Sequence, residues 1–303
     1  MANQANAPVI VQRSFLNGMA ENTSAFALAG RVTTGAGGTL KISGRAIGGL
    51  AATLAKTASS LSATDVANFE ADVTTVHKVI KHTLNNKMLT TEMGFENAGA
   101  ELANKVLVSL NKDYFDFLEG LPAAAHPRAG AGAFQVGAGL KYIDTGLSFL
   151  LTEPGVGTQD NMITSAFSET ALDAAIQLLN KYRDDRGVPL HLGLNGGLTL
   201  IVGPKNRKLA GEVVGSDLSG ADMATNTLKP LISNVVVWNF TTDEDDWFLV
   251  DMNSAPVGTH IAAAPTVTIN PSADGLFTHF VAEYESAPFK APYEYGIIGS
   301  NVA

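Results

Sequence analysis

Between Asp173 and Pro256, helix-period, turn and strand signals follow one another in an order that suits a compact α/β lobe. Ser168, with Glu169 behind it, is a helix N-cap. Ala171, Leu172, Ala175, Ile176, Leu178 and Leu179 make an apolar face, and Gly187 with Pro189 ends the helix. Leu198 to Val202 reads as a short buried strand, and Pro204 opens a second helix through Val214. Ile232 to Phe240 and Trp247 to Asp251 read as a hairpin joined by the acidic turn Thr241 to Asp246.

Upstream, Leu102, Val106, Leu110 and Tyr114 recur at four-residue spacing, and Ala103, Leu107 and Phe117 widen the stripe. Gly120 and Pro122 stop the pattern, which predicts one helix over Met93 to Leu118, about 38 Å long at 1.5 Å per residue. Residues 1–25 are polar with scattered apolar positions and read as an extended arm. Gly35-Ala36-Gly37-Gly38 between Val32 and Leu40 is written like a glycine-bent hairpin or long loop, marginal without a neighbour to lie upon. Val73 to Leu84 has an imperfect strand alternation and reads as the return of that loop. Residues 123–157 are loop-like except around Leu140 to Leu151, and strands are expected at Val267 to Ile269 and Leu276 to Ser286.

Charge and composition exclude several functions. With 20 basic and 29 acidic residues the net charge is -9, which disfavours a surface built to neutralise phosphate. The chain has no cysteine, so disulfides and thiolate metal sites are excluded. The N-terminus lacks a basic region followed by a sustained apolar run, and Arg45, Lys56 and several glycines break the most apolar stretch, Ile42 to Leu61; no signal peptide or membrane span is expected.

No residue carries a sequence signature of a catalytic, cofactor-binding or metal-ligating role. Nucleophile-elbow, Walker, H-E-x-x-H, EF-hand and complete dinucleotide motifs are missing from the sequence. Glycine-rich Gly130 to Phe134 follows no clear strand and reads as a loop. Of His77, His82, His126, His191, His260 and His279, only the first two are close, and a five-residue separation points them to opposite faces of a strand. Asp243 to Asp246 lacks the carbonyl pattern and distal acid of a calcium loop and reads as a solvated hairpin tip. Asp113, Asp116 and Glu119, with Lys112, read as the wet face of the long helix.

Several segments in order resemble Mu-type phage major head subunits. RDDRGVPL (183–190) and TLIVGPKNRKLAGEVV (199–214) are similar to that family's D-x-x-G-x-P-L turn and the strand leading into a helix. LKPLISNVVVW (228–238) and DEDDWFLVDMNSAP (243–256) resemble its L-K-P and D-x-W strands, and Glu294-Tyr295-Gly296 stands where the family ends in D-[FY]-G. The match covers roughly the C-terminal half. LPAAAHPRAGAGAF (121–134) departs from the family's F-x-x-x-H-x-N loop, and residues 1–60 show no match.

The resemblance implies an α+β chain of the Hong Kong 97-type capsid fold. Its parts would be an N-terminal arm over 1–25, an extended loop region over 26–90 and a peripheral domain with a spine helix over 91–165, followed by an axial domain over 166–255 and a return to the peripheral domain over 256–303. The function it implies is structural and non-enzymatic, without cofactors: a major capsid protein in the virion, assembled in the host cytoplasm into hexamers and pentamers of an icosahedral shell that encloses double-stranded DNA without reading its sequence. The implied partners are itself, a separate scaffolding protein and a portal, with a decoration protein compatible and no membrane; an N-terminus that is not cleaved is expected. The alternatives are an encapsulin-like compartment shell and, from another class, a soluble α/β hydrolase or sugar-binding protein using Asp243 to Asp246.

Overall fold

A computed structural model describes residues 7–21, 25–35, 39–47, 66–89, 92–130, 136, 138–147, 159–183, 189–194, 196–217, 225–254 and 256–300. In chain order the elements are α1 (Ala7–Glu21), α2 (Ala25–Ala29), β1 (Arg31–Thr34), β2 (Thr39–Ile47), β3 (Val66–Thr74), β4 (Val76–Asn85), α3 (Glu92–Glu119), β5 (Met162–Ile163), α4 (Glu169–Lys181), β6 (Leu198–Val202), α5 (Arg207–Gly215), β7 (Ile232–Val237), β8 (Trp247–Asp251), β9 (Val257–Pro271), β10 (Phe277–Lys290) and β11 (Ile297–Ser300). A peripheral sheet runs β1-β9-β10-β4, an axial sheet runs β5-β11-β8-β6-β7, and among the described residues β2 pairs only with β3.

The spine helix α3 forms where the four-residue stripe predicts it. Leu102, Val106, Leu110 and Tyr114 are all buried, and the Gly120 amide donates to the carbonyls of Asp116 and Phe117 to close the last turn. Of the residues expected to form an extended arm, 7–21 are instead helix α1, packed along α3, and 1–6 and 22–24 lie outside the described residues. Ala7, Ile10, Val11, Phe15 and Gly18 make its buried face, while Val9 and Leu16 point outward and blur the sequence pattern. Pro8 is tolerated because it lies in the first turn, where its missing N–H has no helical partner. The two helices approach at Gly99, where a Cβ would lie 2.6 Å from the Val11 carbonyl oxygen.

Two cores lie on either side of the axial sheet. Ile201, Phe248, Val250, Val236 and Ile297 face the spine, α1 and the peripheral sheet in one continuous cluster. Leu198, Leu200, Val202, Trp247, Leu249 and Ile298 face α4 and α5 in a second. Period-two alternation therefore buries both faces of β6 and β8, at about 1.5–3 kcal/mol for each large side chain. Ser168 caps α4 as its sequence indicates, its Oγ accepting the Ala171 amide, although the helix stops at Lys181, ahead of Pro189. Gly187 lies outside the described residues.

Three other expectations change. β7 and β8 are not a hairpin: β7 runs parallel to β6, β8 antiparallel to it, and β6 lies between them. The reason is α5, which carries the chain from β6 to a parallel neighbour and leaves β8 only the other edge of β6. Likewise β1 and β2 do not pair across the glycines at 35–38; β1 joins β9 in parallel, and β2 finds β3. Residues 36–38 and 48–65, and with them most of the expected turn and loop, lie outside the described residues. Third, within 256–303, expected as one return segment, β9 and β10 pair with each other in the sheet of β1 and β4, whereas β11 joins the other sheet beside β8. Around Leu140 to Leu147 there are isolated bridges and turns in place of a regular element, and 148–151 lie outside the described residues.

Candidate functional site: an open excursion and a buried junction

Among the described residues, the β2–β3 pair meets the rest of the chain in a small apolar cluster in which Val73, Leu40 and Ile42 pack with Ala287 and Phe289 of β10. Lys41, Glu70 and Asp72 are exposed, with Lys41 Nζ 3.1 Å from Glu70 and 4.0 Å from Asp72. Such surface pairs contribute little. The registers place Thr34, Ile261, Ser286 and Val76 in one row across the peripheral sheet. The chain thus leaves the sheet at one edge, runs out through β2 and β3, and re-enters at the other edge level with its exit.

Large apolar side chains are exposed around one end of the peripheral lobe: Met88, Met93, Leu276 and Phe277, with Asn86 hydrogen-bonded to Gly275, Leu276 and Thr278 between them. Val235 on the edge strand β7 and Phe240 just after it are exposed. Open strand edges and apolar patches of this kind are surfaces for association.

The chain crosses between the two sheets three times: from the spine through the loop to β5, from β8 to β9, and from β10 to β11. The crossings meet at a buried polar junction. His126 from the first and Glu294 from the third are both fully buried, with His126 Nε2 2.8 Å from Glu294 Oε2. The Arg128 amide donates to His126 Nδ1 at 3.0 Å, so the proton sits on Nε2 and is donated to the carboxylate. The Tyr142 ring stacks on His126, and its hydroxyl donates to the carbonyls of Tyr293 (2.9 Å) and Pro256 (3.4 Å), joining all three crossings. Arg128, itself buried, lies over the Tyr293 ring at 4.7 Å. Lys290 Nζ donates to the Ala125 carbonyl, and burial lowers its pKa. Burial first, and then the Glu294 charge, raise the pKa of Tyr142 well above its ordinary value.

Sequence reasoning missed this junction because its partners are 168 residues apart and His126 lies in a featureless Ala/Gly/Pro loop. The available signal was Glu294, a carboxylate amid aromatic residues in a terminal segment. The remaining histidines are scattered: His260 meets Thr33, His279 meets Thr83, and His77 lies 3.8 Å from Glu283. His191 occupies left-handed backbone at φ 53. Among the described residues no group of acidic and histidine side chains has the arrangement of a metal site. Glycine-rich residues 131–134 lie outside the described residues. The acidic run spans the end of β6, with Asp245 2.6 Å from Lys205 and Asp246 accepting from Ser300. On the spine, Asp113 pairs with Lys78, Asp116 with Lys112, and Glu119 accepts from Thr242.

His82, on the inner face of β4, is the buried histidine with a perturbed pKa. Lys105 Nζ donates to its Nδ1 at 2.8 Å, so the ring is neutral with its proton on Nε2. Burial chiefly, and then the Lys105 charge, lower its pKa below 6.5, against the pull of Glu101. The unfolded chain therefore takes up a proton that the folded chain refuses. The stability this neutral ring confers is full above the unfolded pKa and lost as pH falls below it. Melting temperature should accordingly decline from about pH 7 to 5.5, and His82→Gln should flatten that limb; an unchanged slope would refute the assignment.

No protein-family model matches the chain, and no curated protein sequence matches it. Solved structures match over nearly the whole length. One is the virus-like particle from Pyrococcus furiosus, 12% identical with a TM-score of 0.53 over 96% of this chain and 97% of that one. A phage-related protein from Bordetella bronchiseptica is 12% identical, with a TM-score of 0.55 over 95% of both chains. The mature capsid of bacteriophage PhiM1 is 10% identical, with a TM-score of 0.54 over 91% and 86%. The fold is that of Hong Kong 97-type capsid proteins, as the sequence resemblance implies. Among the described residues no helix is long and apolar enough to cross a membrane.

Proposed function

We propose that this chain, which has the Hong Kong 97-type capsid fold, is the major shell protein of a tailed-phage head, building hexamers and pentamers around double-stranded DNA. The observation that supports the reading is the β2–β3 excursion, a two-stranded ribbon set apart from both larger sheets, whose described side chains join only a small apolar cluster. On a neighbouring copy it gains the support it lacks, and many such overlaps add up over a closed shell. Net charge of -9 fits a container whose wall does not hold its genome tightly. The role is structural and non-enzymatic, with the virion as its place and a separate scaffolding protein and portal as its partners.

The test is expression of the chain with its candidate scaffolding protein, followed by sedimentation and electron microscopy. Megadalton particles with five- and six-fold capsomers are expected. A protein that stays monomeric under every assembly condition would overturn the proposal. Particles formed in the phage context that carry a cargo protein and no DNA would favour a compartment shell on the same fold, a reading compatible with the Pyrococcus furiosus virus-like particle.

A further inference from the structure

The buried pair His126–Glu294 has an expensive arrangement for a junction that hydrophobic contacts already surround. Both side chains are fully buried, and a desolvated ion or ion pair repays its burial only with good geometry. Packing does not require it: the axial sheet already meets the spine through Phe115 stacked on Trp238 at 4.2 Å. What the pair has that packing lacks is direction. The imidazole uses both nitrogens, one receiving the Arg128 amide and the other donating to Glu294, so ring and carboxylate are held in one orientation.

The position of the pair is equally specific. Glu294 lies in the six residues between the end of β10 and the start of β11, where the chain passes from the peripheral to the axial sheet. The Ala291 amide donates to the Pro256 carbonyl at 2.6 Å, tying that passage to the β8–β9 crossing, and Lys290 reaches Ala125 of the first. On the axial side the Ile297 amide donates to the Glu294 carbonyl, and the Asp251 amide to that of Gly296. A shift of Glu294 relative to His126 is therefore a shift of one sheet relative to the other.

We propose that His126 and Glu294 form a latch that sets the angle between the peripheral and axial lobes. With the latch closed the three crossings move as one; with it open the apolar seam still joins the lobes but permits a range of angles. The inference goes beyond shell assembly, since it concerns the single chain, but in a shell this angle would set local curvature.

The absence of cysteine allows a direct test. Spin labels at Lys81→Cys on β4 and Lys208→Cys on α5, both exposed, would report the interlobe distance in labelled full-length chain diluted into an excess of unlabelled chain. The natural pair should give one narrow distance. The double variant His126→Leu, Glu294→Leu removes the directional bonds between the two side chains, and its distance distribution should become about twofold broader. His126→Gln, whose amide can serve both partners, should stay narrow. A double variant as narrow as the natural chain would overturn the latch. If that variant fails to fold, hydrogen exchange on the unmodified chain decides: the amides of Tyr142, Ala291 and Ile297 should open together, and independent opening would refute the proposal. These readouts do not depend on particle formation, so their failure is distinguishable from failure of the capsid reading.

Discussion

Excision of residues 35–75 should leave a folded subunit that forms no shells. The two ends of the excision lie in one row of the peripheral sheet, on strands separated by two others. Three strand spacings of about 4.8 Å make a gap of roughly 14 Å. A flexible linker of about eight residues spans it, since its mean reach is about 5–6 Å times the square root of its length. The excision uncovers Ala287 and Phe289, whose re-exposure costs about 1.5–3 kcal/mol, a tolerable loss for a chain with two large cores of its own. Circular dichroism and calorimetry should therefore find a native fold with a slightly lower melting temperature, while sedimentation finds no particles. Normal particles from the excised chain would show that the excursion is not what couples the copies.

Trp247→Ala should produce the largest loss of stability of any single substitution in the axial lobe. Trp247 is fully buried in β8, packs edge-on against Phe167 with ring centroids 5.4 Å apart, and lies over the face of the sheet that α4 and α5 cover. Removing a buried indole costs about 3–5 kcal/mol because the neighbours collapse only partly into the cavity. For a chain of this size that lowers the melting temperature by roughly 10 °C. Trp238→Phe is the control: the residue stacks on Phe115, but its buried indole N–H has no hydrogen-bond partner, so phenylalanine keeps the ring contact and removes an unsatisfied donor. Calorimetry that found the two substitutions equally damaging would contradict this account of the two sites.

Local pattern foretold most of the individual elements. The spine announces itself through a stripe that tertiary contacts do not alter, and Ser168 marks the start of α4 because a cap acts on the amide three residues away. Strands β6 and β8 were legible as short apolar runs because each is buried on both faces. Helix α1 was not, since Val9 and Leu16 are exposed and spread the apolar residues around the cylinder.

Partnership belongs to the tertiary structure. Glycines at 35–38 fit either a hairpin or a long loop, and the hairpin does not form: β1 takes the edge of β9 and β2 pairs with β3. An acidic turn suggested that β7 and β8 pair, yet the crossover through α5 puts β6 between them. His126 and Glu294 carry no sign of each other in the sequence and meet only because three crossings converge. By itself the sequence determined which segments are helix or strand, which faces they bury and that no recognised catalytic motif is present, because hydrophobic period and capping are short-range effects. Only the folded chain decided strand order, the route of the β2–β3 excursion and the buried junction, because these depend on which sheet edges remain open once other elements have claimed theirs.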